Sequence, residues 1–290
     1  MAKNKTSKTR TKQSKEDAEL AELTQQRERR EQTIIGVIVV IILAIIVTIG
    51  GYFLYQHATA GGQVAADSKA AEERLKVMDA PKNATKQGAF IVSKNGYNKP
   101  VTGKPTIGVY LEPLCLGCAT TERTLGDTFQ SLVENGQANL ELHFMTFQDN
   151  KSSDQYSSRV ANGMTYIAEH DQNPQHLLKF IQNIYAEDFQ PKELSDYKSV
   201  TNEQLAEQAV NAGVDKETAS EAFNGSLKYK DWLKTSDKYA IGRSELYPEG
   251  SDSFSTPTIT IDGKRWNDEY TVAGLLQKIG VPAAEATPAK

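Results

Sequence analysis

A chain of 290 residues with 39 % apolar content is long enough to bury a sizeable core and still carry appendages. Its net charge of -4 is mild, and no basic surface interleaved with aromatics marks it for nucleic acid. It holds only two cysteines, which excludes a small fold stapled by several disulfides.

Charge is unevenly spread along the chain. Residues 1–32 hold nine Lys or Arg, among them Arg27, Arg29 and Arg30, against six acids, and read as a charged cytoplasmic tail. Ile34 to Tyr55 then form an uncharged run of 22 residues. At ~1.5 Å per residue such a helix crosses a hydrocarbon core of about 30 Å, so residues 33–55 are expected to be a transmembrane signal-anchor helix. Basic residues crowd its N-terminal flank and are missing just after it, which orients the C-terminal part outside the cytoplasm. The competing reading is a signal peptide cleaved after Ala60, within Ala58-Thr59-Ala60; its apolar region would be ~7–15 residues, shorter than the run found here. The following segment, 56–87, is small, polar and Ala/Gly-rich, and reads as an extracytoplasmic linker.

The folded domain is expected over 88–280. Phe90-Ile91-Val92 suggests a short strand before a turn at Asn95-Gly96, and Thr106 to Leu111 a stronger one that runs straight into the cysteines. Leu125, Phe129, Leu132 and Val133 recur at helical spacing up to Gly136, and Leu140, Leu142 and Phe144 alternate in a strand drawn over 140–147. Strand, helix, strand makes a β-α-β unit.

From about 151 to 250 the patterns are helical. They cover Tyr156 to His170, Gln175 to Tyr185, a helix opened by a Thr201/Gln204 capping box and closed at Gly213, one capped by Asp215, and Ser226 to Ile241. Pro257 to Ile261 returns to strand, Asp262-Gly263 turns, and Val272, Leu275, Leu276 and Ile279 mark a last amphipathic helix. Residues 281–290 read as a disordered tail.

Cys115 and Cys118 form a C-x-x-C where a strand hands over to a helix. The first sulphur there meets unpaired N–H groups and the positive end of the helix dipole, which lowers its pKa below the ~8.5 of a free thiol and makes it the nucleophile. Cys118 then resolves the mixed disulfide. No second C-x-x-C or close His pair completes a structural zinc set, and His57, His143, His170 and His176 show no ligand or triad spacing, so no metal and no cofactor are expected.

This arrangement resembles the DsbA-like branch of the thioredoxin superfamily over roughly residues 88–280. The resemblance rests on VYLEPLCLGC at a strand-helix junction, a helical insertion of about one hundred residues, and Ser255-Thr256-Pro257-Thr258 opening a late strand. It implies an α/β thioredoxin-like fold with a helical insertion at about 151–250, preceded here by one transmembrane helix. It also implies that Thr256 and Pro257 form a cis-proline loop lying against the cysteines and binding substrate; an ordinary trans proline starting an edge strand is the bland reading. Glu112, three residues before Cys115, either relays protons or is simply exposed. One departure stands out: the dipeptide between the cysteines is Leu116-Gly117, where the family usually has proline first.

The resemblance further implies a membrane-inserted oxidase that donates disulfides to exported cysteine-containing proteins and is reoxidised by a quinone-linked partner of the DsbB or VKOR type. Two other readings stay open. One is a membrane-tethered reductase of the cytochrome c maturation type; the other is a non-catalytic module in which two thiolates hold a soft metal such as Cu(I).

Overall fold

The computed structural model describes residues 61–282. The expected tail at 1–32, the membrane span at 33–55, the alternative cleavage after Ala60 and all but the first two residues of the tail at 281–290 lie outside that range. Among the described residues no helix is long and apolar enough to cross a membrane.

Most of the segment expected as a linker is folded. Residues 61–77 form a helix, α1. Ser68, Ala71 and Leu75 recur at helical spacing and are buried, with Leu75 part of the main core. Ser68 Oγ donates to the Tyr239 carbonyl at 2.7 Å. The backbone of α1 comes so close to Gly242 that a Cβ there would collide with Ser68 Cβ and with the Val64 carbonyl. The segment expected as an Ala/Gly-rich linker is therefore, over 61–77, a helix with one narrow apolar stripe.

Six strands form one sheet: β1 Phe90–Ser93, β2 Gly96–Tyr97, β3 Thr106–Leu111, β4 Asn139–Phe144, β5 Thr258–Ile261 and β6 Lys264–Arg265. Their order is β2-β1-β4-β3-β5-β6. β3 and β4 run parallel in the register Ile107↔Leu140, Leu111↔Phe144, joined by α2 (Leu116–Glu134); the remaining pairs are antiparallel. Ile107, Val109 and Leu111 face the main core with Leu125, Phe129 and Leu132 of α2, while Tyr110 turns to the other face and stacks on His143, ring centroids 3.9 Å apart.

The insertion consists of α3 (Tyr156–His170), α4 (Pro174–Ile184), α5 (Asn202–Asn211), α6 (Lys216–Ala222) and α7 (Lys230–Ile241); α8 (Val272–Ile279) follows the sheet. The Thr201/Gln204 capping box and the Asp215 cap are both formed. Boundaries differ from expectation where a side chain captures the backbone. β4 stops at Phe144 because the Thr146 N–H turns away to the Asp237 carboxylate at 3.1 Å. α7 starts at Lys230, not Ser226, because Asn162 takes the Tyr229 N–H and donates to the Ser226 carbonyl, holding that stretch as a loop. β5 begins at Thr258, since Pro257 has no N–H to give the ladder.

Candidate functional site

Leu111 ends the central strand and Leu116 begins α2, so the four residues between them turn the chain over the C-terminal edge of the parallel strands. Cys115 N donates to the Glu112 carbonyl at 3.0 Å, which closes that turn and leaves Cys115 as the N-cap of α2. Its Sγ accepts the Cys118 N–H at 3.2 Å and stands 3.4 Å from the Thr256 carbonyl, to which the thiol donates. Both cysteines are free thiols and both are buried, while Leu116 beside them is half exposed.

The two sulphurs differ in chemistry. Cys115 is lowered to about 6: the Cys118 thiol donating to its Sγ contributes most, burial opposes, and the Thr256 hydroxyl and the backbone N–H groups of Cys118 and Gly117 add to the lowering. Cys118 is raised well above the ordinary thiol value, first by burial and then by the neighbouring Cys115. A thiolate at the N-cap next to a protonated, enclosed thiol is the arrangement for sequential nucleophilic exchange.

Glu112 is fully buried, so the exposed reading of this residue is excluded. One carboxylate oxygen, Oε2, accepts the Leu114 N–H at 2.8 Å, and its backbone N–H points at Cys118 Sγ at 3.5 Å. Burial pushes its pKa up to about 8; Ser157, close by but outside hydrogen-bonding geometry, and the Leu114 N–H hold it back, and the charge of Cys115 pushes further. A neutral carboxyl thus sits under the cysteines at neutral pH.

The Thr256–Pro257 bond is cis. Pro257 packs on the dipeptide between the cysteines: a Cβ added to Gly117 would lie 3.0 Å from Pro257 Cδ and 3.7 Å from Cys115 Sγ. Leu116-Gly117 therefore gives a close seat for the proline ring. The four residues singled out from the resemblance, Cys115, Cys118, Thr256 and Pro257, come together at one end of the sheet, with Glu112 beneath them.

Sequence reasoning missed the residues that fix this geometry from the insertion. Tyr185 Oη donates to the Glu112 carbonyl at 2.9 Å, and Gln190 Nε2 donates to the Cys115 carbonyl at 3.2 Å. Tyr185 carried only the signal of the apolar face of α4, and Gln190 carried none. Two clefts each share one residue with the site, Pro257 or Gln190. One of about 350 Å³ includes Pro257, Trp266 and Tyr270; the other, about 690 Å³, includes Phe189, Gln190 and Tyr197. His143 is buried in its stack, His176 pairs with Asp171 at 2.8 Å, and among the described residues no group of His, Cys, Asp and Glu is placed to hold a metal.

A family model described as Thioredoxin matches residues 101–280. No curated protein matches at the level of sequence. Among solved structures the chain is similar to reduced DsbA from Mycobacterium tuberculosis, at 26 % identity and TM-score 0.54, over 69 % of this chain and 100 % of that one. It is also similar to the disulfide bond oxidoreductase DsbG from Mycobacterium tuberculosis, at 26 % identity and TM-score 0.53, over 68 % and 92 %. MdbA from Actinomyces oris, a thiol-disulfide oxidoreductase, shares the fold at 20 % identity and TM-score 0.54, over 72 % and 94 %.

Proposed function

The chain belongs to the thioredoxin family and is a thiol-disulfide oxidoreductase of the DsbA type, and from that premise we propose that it is a membrane-anchored oxidase that donates a Cys115–Cys118 disulfide to exported proteins. The observation that carries the direction is the Cys115 thiol, lowered to about 6. A stabilised thiolate favours the reduced form of the pair, which makes the disulfide a better electron acceptor than one whose first thiol keeps its ordinary pKa.

A substrate thiolate attacks Cys115 Sγ; the Cys115–Cys118 bond breaks and Cys118 leaves. Its strongly raised pKa makes it a poor leaving group unless it takes up a proton, and the protonated Glu112 carboxyl, held on the Leu114 N–H next to the pair, is the group assigned to supply one. A second substrate thiolate then attacks the substrate sulphur of the mixed disulfide, and Cys115 departs as the thiolate its N-cap site stabilises. The substrate has lost two electrons and the pair has gained them. A quinone-linked membrane partner of the DsbB or VKOR type takes them up again.

The substrate chain lies along Thr256 and Pro257, with room on either side in the clefts that include Pro257 and Gln190. The uncharged run at 34–55 anchors the protein with its catalytic domain outside the cytoplasm.

The test is the equilibrium potential of Cys115–Cys118 against glutathione in a soluble form starting at residue 61. A value of about -120 to -180 mV supports the oxidase. A value at or below about -270 mV sinks it in favour of the tethered reductase. Topology is read separately, by labelling a cysteine introduced at position 57 in intact cells.

A further inference from the structure

The loop between α4 and α5 is tied both to the cysteine pair and to the start of α3. Gln190 Nε2 donates to the Cys115 carbonyl at 3.2 Å. Farther along, Lys151 pairs with Glu193 at 2.8 Å, and the Asp154 carboxylate accepts the Tyr197 hydroxyl at 2.5 Å and the Ser199 hydroxyl. Arg159 of α3 fastens the far end by donating to the Val200 carbonyl at 2.9 Å. Pinned at these points, the loop lines the cleft of about 690 Å³ that includes Gln190.

That cleft has an apolar floor and a polar rim. Pro191 and Val200 are buried, while Phe189 and Tyr197 are half-buried and pack against the main core. At the exposed rim Asp188 and Asp196 offset Lys192 and Lys198, so the lining favours no net charge and its selectivity lies in the floor. Leu194, next in the chain to the lining residue Ser195, is 64 % exposed at a φ of 57°. A bulky side chain is costly in left-handed backbone, and this one recovers little by burial. What it provides is apolar surface beside the cleft.

Cys115 is held from two sides. Its thiol donates to the Thr256 carbonyl at 3.4 Å, and its own carbonyl accepts from Gln190. A chain joined through its cysteine to Cys115 Sγ and lying along Thr256 and Pro257 is therefore close to the wall that Gln190 belongs to. At ~3.3 Å per residue of extended chain, two to four residues reach it.

We propose that this cleft is a second substrate subsite, which seats one aromatic or large aliphatic side chain two to four residues from the reactive cysteine of a polypeptide substrate. This rests on the reading above that the protein acts on cysteine-containing polypeptides lying along Thr256 and Pro257. Because the loop is pinned beforehand, little ordering is needed on binding. One such side chain leaving water should raise the rate of attack about tenfold.

The test uses the full chain, oxidised, in detergent. Ten-residue peptides carry one cysteine among Ser and Gly, with a Phe moved through positions two to four on either side of it. Two peptide thiols give two electrons to the Cys115–Cys118 bond and leave as a peptide disulfide, and acid quench with thiol labelling reads the second-order rate. One Phe position should react about tenfold faster than the Phe-free peptide. Ser195→Trp, which sets an indole over the cleft, should bring that ratio to within about twofold. Leu194→Asn, which keeps a residue tolerant of positive φ but removes the apolar edge, should lower it part of the way. Taking the ratio within each variant cancels any change in the cysteine pair itself.

A ratio lost in S195W and kept in L194N upholds the cleft without its Leu194 edge. If no Phe position stands out, or if the ratio survives S195W, the subsite is overturned; in the second case the side chain is seated elsewhere, such as in the cleft that includes Pro257. Peptides that all react no faster than glutathione overturn the polypeptide-substrate reading itself, and the subsite with it.

Discussion

Cys115 and Cys118 are the same amino acid three positions apart, yet one is lowered to about 6 and the other raised well above the ordinary value. The largest cause of the first shift is the hydrogen bond from the Cys118 thiol. Cys118→Ala should therefore carry the half-ionisation of Cys115 back toward the ~8.5 of a free thiol, while Cys118→Ser, which keeps a donor, should move it less; alkylation by iodoacetamide against pH measures both. Because the folded pKa is depressed, the thiolate contributes stability to the reduced protein that is present above the unfolded value of 9.0 and lost as pH falls through about 6. Glu112 has the opposite sign. Its folded value of about 8 lies above the unfolded 4.5, so its contribution is intact at low pH and is lost as pH rises between those values. Glu112→Gln should thus stabilise the protein at pH 7 by on the order of 2 kcal/mol and leave it unchanged at pH 4, read by urea denaturation. The same variant should slow proton transfer to and from Cys118 by roughly tenfold to a hundredfold. A stability gain coupled to a loss of rate is the signature of a residue kept for chemistry.

Elements whose burial pattern matches their sequence period were legible from the sequence. α3 spans the expected Tyr156–His170, β3 the expected Thr106–Leu111, and the capping box at Thr201 forms as written. Elements held by a partner far along the chain were not. β2 and β6 are two residues each and owe their form to their neighbours. The strand drawn to Phe147 ends early because Asp237, 91 residues on, takes the Thr146 N–H. Asp237 itself sits in KDWLKTSDKYAI, where polar residues abound and nothing separates a buried acid from the exposed Asp231 and Lys234. The same blindness hides packing at Gly163. By helix propensity alone Gly163→Ala should gain about 1 kcal/mol in the middle of α3. The Phe223 ring, however, lies flush on that glycine, and a Cβ would overlap its Cε1 and Cζ. Phe223 is buried and packs on Phe180, with ring centroids 5.6 Å apart, so it has nowhere to retreat. Overpacking costs typically 1–3 kcal/mol, so the net effect should be a lowered urea midpoint. A raised midpoint would show that the α3–α6 contact yields.

At the scale of the whole domain, the family match begins at residue 101, yet the folded body begins at least at residue 61. α1 joins it through few groups: Leu75 in the main core, Ala71 beside it, the Ser68 hydroxyl on the Tyr239 carbonyl, and the close backbone contact at Gly242. The stripe is too narrow to stand out among small and polar residues, so the Ala/Gly-rich composition by itself reads as a linker. Two valine- and leucine-sized groups on the same helix separate the readings. Leu75 is 1 % exposed and Val77 is 84 % exposed. If α1 is part of the cooperative unit, Leu75→Ala should cost about 2–4 kcal/mol in urea denaturation of the soluble form from residue 61, and Val77→Ala less than about 0.5. If α1 unfolds independently of the rest, Leu75→Ala should instead leave the main transition in place. The helical signal would then be lost in an earlier, separate step. The first outcome makes the segment before the thioredoxin region a structural part of the oxidoreductase, with Gly242 conserving the space through which it docks; Gly242→Ala should reproduce the loss seen with Leu75→Ala, since both act on the same contact.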